Sequence, residues 1–105
     1  MRFLAHKLEL GEEQVAAFAT ILDDLKTERA QSAVDQRRRI SALAEAIEGS
    51  SVDDARLASV GDEQQRTEQR MHDAVTRALK KMHGALDDEQ RKRLAYLLRT
   101  GALSI

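Results

Sequence analysis

The side chains best suited to metal chemistry in this chain are its histidines, His6, His72 and His83, and its methionines; cysteine is absent. Without cysteine there is no disulfide, thiolate metal site or thiol nucleophile. On one helix His72 and His83 would share a face, but about 16 Å apart along the axis, too far to hold one ion within a single chain. No His-x-x-x-His and no Glu-x-x-His occurs, so the ligand spacing of a helical di-metal site is missing. His6, His72, Met82 and His83 are the side chains that keep metal chemistry open, and they assign no site and no cofactor. Catalytic signals are also missing. There is no nucleophile–base arrangement and no glycine-rich phosphate loop, and the pairs Asp23-Asp24 and Asp87-Asp88 read as helix surface and helix cap. The expectation is a protein that is not an enzyme. The basic runs Arg37-Arg38-Arg39 and Arg91-Lys92-Arg93 fan around a helix instead of forming one patch. They lack interleaved aromatics for base stacking, and the net charge is -1. Nucleic acid is not an expected partner.

These residues sit on helices. Glu12 to Glu48 contains no Pro and no Gly and is rich in strong helix formers. As one helix it would run roughly 55 Å, so a partner must lie alongside it. Val52 to His83, broken only by Gly61, supplies one. The fold class expected is all-α: a long antiparallel helical hairpin with short N- and C-terminal helices, forming one domain over residues 1–105. Charged residues make up 33% and aromatic residues 3% of the chain, which suits exposed helices and argues against a β-rich core. A chain this short buries little surface alone, so a homodimer is expected to complete the core. There is no apolar run of membrane-spanning length, hence no membrane insertion by this segment, and the N-terminus lacks the apolar region of a signal peptide.

The first long helix carries Val15, Phe18, Leu22 and Leu25 in a heptad-like stripe. In the same register the stripe turns polar at Arg29, Ser32 and Gln36, then apolar again at Ile40, Leu43 and Ile47. Gly49 reads as the residue after the helix end. Ser51 with Asp54 reads as a capping box opening the return helix. Gly61 to Arg70 contains no apolar residue, and Met71, Ala74, Val75, Ala78, Leu79 and Met82 form a dense apolar face. Gly61 permits a bend, and Gly84 reads as the end of the return helix. Folded about residue 50, the two polar stretches face each other. One reading is a solvated waist; the other is a surface that binds something.

Leu10-Gly-Glu-Glu-Gln14 and Leu86-Asp-Asp-Glu-Gln90 are the same device: a leucine, a cap, acidic residues and a glutamine at the third helical position. With two copies, one before each arm, the chain resembles the Spy/CpxP family of bacterial envelope-stress proteins, whose branches include heavy-metal-resistance sensors. That family carries two Leu-Thr-x-x-Gln motifs in these places; here Gly11 and Asp87 stand where it has Thr. The resemblance spans roughly residues 3–100. It implies a cradle-like dimer of long hairpins, residence in the periplasm, and either ATP-independent chaperoning or metal-linked stress sensing through a membrane partner. Nickel- and cobalt-sensing members place a His four residues before a Met in the second arm. Met82 matches that Met, but the earlier position is Ala78, so the ligand set does not carry over.

A chaperone of this kind needs cations that attract unfolded chains and apolar edges that hold them. Arg29, Gln36, Arg37, Arg66 and Arg70 flank the polar waist, and Phe18, Leu22, Met71 and Val75 lie at its margin. These residues are the expected client surface for unfolded or misfolded proteins. The plain alternative is that the arginines only pair with Glu28, Asp35, Asp62 and Glu68. A metal sensor and a structural helical adaptor remain as other classes.

Overall fold

The computed structural model describes residues 1–105. Four helices follow in order: α1, Arg2–Lys7; α2, Glu12–Ile47; α3, Asp54–Ala85; and α4, Asp88–Thr100. There is no strand, and the chain is an all-α helical hairpin with short flanking helices. It divides into two compact units. The first holds Met1–Leu25 with Val75–Ile105, and the second holds Lys26–Ala74.

In the first unit the core is apolar. Phe18, Leu8 and Met82 are fully enclosed, and Leu4, Ile21, Leu25, Leu86, Leu94 and Leu97 are buried with them. Helix α1 ends in a Schellman motif: Glu9 N–H donates to the His6 carbonyl at 3.3 Å and Leu10 N–H to the Ala5 carbonyl at 3.0 Å. The turn needs a left-handed residue, and Glu9 takes that conformation at φ 52°. Helix α2 then starts at Gly11. Its carbonyl receives Val15 N–H at 2.9 Å, and its own N–H donates to Gln14 Oε1 at 3.0 Å. Helix α4 has the complete capping box: Gln90 N–H donates to Asp87 Oδ1 at 2.8 Å, and Asp87 N–H donates to Gln90 Oε1 at 3.0 Å.

The two capping glutamines also bind each other. Gln14 Nε2 donates to Gln90 Oε1 at 2.8 Å, and Gln90 Nε2 donates to Gln14 Oε1 at 3.0 Å. The remaining amide hydrogens reach the backbone ahead of the opposite motif. Gln14 Nε2 donates to the Ala85 carbonyl at 2.8 Å, and Gln90 Nε2 to the Leu8 carbonyl at 3.1 Å. Each amide thus fills both donor and both acceptor places, which is what a polar group in an apolar setting requires.

In the second unit the same arms run antiparallel with a different interior. Glu45 meets Arg56 near the turn. Further out, Asp35 meets Thr67 and Arg70, and Glu28 meets Arg70. The α2 residues turned inward are Glu28, Ser32, Asp35, Arg39, Ala42 and Ala46, a strict heptad alternation. From α3 come Leu57, Val60, Thr67, Met71 and Ala74. The polar waist expected from the sequence is therefore an inter-helix seam, but its register differs from the expected one. Arg29 and Gln36 face solvent. Ile40, Leu43 and Ile47, expected to return to the seam, are 59%, 42% and 67% exposed. Ala42 and Ala46 occupy the inward places instead, because small side chains let the helices approach near the turn.

The helix ends differ from the expected ones at several places. Asp53, not Ser51, caps α3: its Oδ1 accepts Arg56 N–H at 3.0 Å, and its N–H donates to the Ala46 carbonyl at 2.9 Å. Val52 stays outside the helix. Gly49 does stand just past the end of α2, but without a positive φ; Gly101, at φ 79°, is the glycine that ends a helix in the left-handed conformation. Helix α3 is continuous through Gly61 and passes Gly84 to Ala85. A methyl group added at Gly61 meets nothing within 4 Å. Gly61→Ala is thus expected to raise stability by about 1 kcal/mol, the helix-propensity difference, whereas Gly101→Ala should lower it by about 1 kcal/mol. Urea unfolding of both variants measures this; loss of stability at Gly61 would contradict a regular helix there.

Candidate binding surface

The second unit carries two grooves along its polar seam. The first, of about 220 Å³, is lined by Asp35, Arg38, Arg39, Glu63, Arg66, Thr67 and Arg70. The second, of about 430 Å³, is lined by Arg29, Ser32, Ala33, Gln36, Glu68 and Met71, and it shares Arg39 and Thr67 with the first. Both exist because the interior positions hold Ser, Asp, Arg and Thr, which do not close the space between two helices as leucines would. Ser32 Oγ is buried without a hydrogen-bond partner in the chain.

Asp35 anchors this seam. Its Oδ2 receives Arg70 Nη2 at 2.5 Å and the Thr67 hydroxyl at 3.4 Å, and its Oδ1 receives Gln31 Nε2 at 3.2 Å. Arg70 also reaches Glu28 at 3.4 Å. The Arg70 hydrogen bond first, and the Gln31 hydrogen bond second, hold the Asp35 carboxyl below the ordinary aspartate range.

The expected client residues fall in several places. Arg29, Gln36 and Met71 come together in the larger groove, and Arg66 and Arg70 in the smaller. Arg37 is exposed and lines neither. Of the four arginines expected there, only Arg70 is ion-paired; Arg29, Arg37 and Arg66 pair with nothing, and neither Asp62 nor Glu68 forms an ion pair. In the first unit Leu22 and Val75 are half-buried, while Phe18 is fully buried and offers no surface to a client. Sequence reasoning passed over Arg38 and Arg39 because a run of three arginines fans around its helix. The helix does separate them, yet α3 brings Arg66 to meet two of the three.

The metal candidates are dispersed. His6, His72 and His83 are exposed, and Met82 lies in the core of the first unit with no exposed surface. No group of three or more His, Asp or Glu side chains converges. The motif residues Gln14, Leu86 and Gln90 build the lock between α2 and α4, with Leu10 half-buried beside it.

The pattern of the LTXXQ motif family matches residues 1–98. The chain belongs to this family, the Spy/CpxP-like and heavy-metal-resistance group of periplasmic proteins. No curated protein and no solved structure matches it. No helix is long and apolar enough to cross a membrane.

The Asp35 carboxylate is favoured by folding, so its contribution is present above the ordinary carboxylate pKa and is lost as pH falls through the lowered folded value. In a carbon-detected NMR titration Arg70→Gln is expected to bring Asp35 back up towards the ordinary aspartate range. An unmoved midpoint would show that the Arg70 contact is not what holds it down.

Proposed function

We propose that this protein is a non-enzymatic envelope-stress protein of the periplasm, an ATP-independent chaperone that holds unfolded clients on its second unit. Membership of a periplasmic stress and metal-resistance family supports the setting. The observation that carries the chaperone reading is the set of arginines left without carboxylate partners, Arg29 and Arg66 among them, lining grooves too open to be a rigid pocket. Unpaired surface cations attract flexible acidic chains at long range, and Met71 in the larger groove gives them an adaptable apolar edge.

The apolar stripe Ile40, Leu43 and Ile47 is exposed at heptad spacing. It is the seam by which a second copy would join, because three aliphatic side chains on one helical line suit a helix–helix contact better than a mobile client. The metal-sensor reading has less support, since no ligand group converges.

Dilution of a chemically unfolded client into buffer with this protein is expected to give less light scattering than without it, and high salt should weaken the protection. The double variant Arg29→Glu/Arg66→Glu should lose most of it while keeping its helical circular dichroism. No suppression at excess protein would overturn the chaperone reading in favour of a sensor or an adaptor.

A further inference from the structure

The smaller groove of the second unit has a charge imbalance that its own residues do not resolve. Four guanidiniums and two carboxylates line it. Arg70 is satisfied by Asp35 and Glu28. Arg38, Arg39 and Arg66 make no ion pair and no hydrogen bond; Asp35, already bound to Arg70, is within electrostatic reach of Arg38, and Glu63 is the other carboxylate of the lining. The three come from both arms of the hairpin, so the folded second unit sets their convergence. Like charges held close raise the free energy of the unit unless an anion joins them.

We propose that Arg38, Arg39 and Arg66 form a binding site for a phosphate-bearing anion. Guanidiniums present planar forks of N–H donors that match phosphate oxygens in pairs. With Glu28 counted beside Asp35 and Glu63, the four arginines still leave a positive excess that favours an anion, and the paired N–H forks favour phosphate over a lone carboxylate. The space of about 220 Å³ equals roughly seven waters at the liquid volume, room for one or two phosphate groups and their bridging waters but not for a folded partner. The Asp35–Arg70 contact is part of the groove's lining, and it ties α2 to α3. This site goes beyond client capture: it requires no client, and it stands or falls on a small anion alone.

Calorimetric titration of the full chain with inorganic pyrophosphate, at fixed ionic strength, tests it. Saturable binding is expected with a Kd below about 1 mM, with acetate binding far more weakly. Arg38→Gln and Arg66→Gln, both exposed, should each weaken pyrophosphate binding about threefold to tenfold. Arg37→Gln changes the net charge equally but lies outside the groove and should leave the affinity unchanged. Co-sedimentation with phosphatidylcholine vesicles, with and without phosphatidic acid, assigns the source. Binding only to the acidic vesicles, lost in Arg66→Gln, marks a lipid phosphate; binding to neither marks a free one. No saturation at millimolar pyrophosphate, acetate binding as tightly, or an equal loss in Arg37→Gln would each overturn the proposal. None of these measurements involves a client, so failure here and failure of client capture are separate results.

Discussion

The first unit depends on one pair of amides. Gln14 and Gln90 each cap the N-terminus of their own helix and each complete the hydrogen bonds of the other. A glutamine has two donors and two acceptor places, and here every one is used. Shortening either residue would strip partners from the other amide and from a cap N–H, and such groups are costly to leave unpaired in an apolar setting. Asparagine would fall short, since the cap bond needs the reach of a residue at the third helical position. In this chain the two leucine–glutamine motifs thus form a structural joint.

The interior changes in the second unit. Along the seam of the second unit the heptad positions hold Glu28, Ser32, Asp35 and Arg39. This unit has little apolar core: Ala46, Val60 and Ala74 are its buried apolar residues. Such a seam is held by directed contacts, above all Asp35 with Arg70, Thr67 and Gln31. The two grooves lie along this seam, with cations in their linings. Surface ion pairs contribute little to stability, so this unit is held less firmly than the first.

The hairpin was readable from the sequence because its signals are local. A long run without Gly or Pro, two capping devices and matched polar stretches each act within a few residues. The cap at Gln90 was readable for the same reason. That Gln14 and Gln90 grip each other was not, since a contact between residues so far apart leaves no mark at either site. The seam register was misread because Ile40, Leu43 and Ile47 drew the stripe to themselves, while the true inward residues there, Ala42 and Ala46, are small. Ser51 with Asp54 has the spacing of a capping box, which points to Ser51 as the cap of α3; Asp53 takes that place, with its N–H bonded to the Ala46 carbonyl, and only the closed turn brings those atoms together. The convergence of Arg38, Arg39 and Arg66 depends on the pairing of the two arms, so it too had no local signature.

The two motif glutamines form one joint. A double-mutant cycle between Gln14→Ala and Gln90→Ala, followed by urea unfolding, tests it most directly. The two residues share hydrogen bonds, so the double variant should cost at least about 1 kcal/mol less than the sum of the single variants. Additive costs would mean that each glutamine only caps its own helix, and the joint described here would not exist.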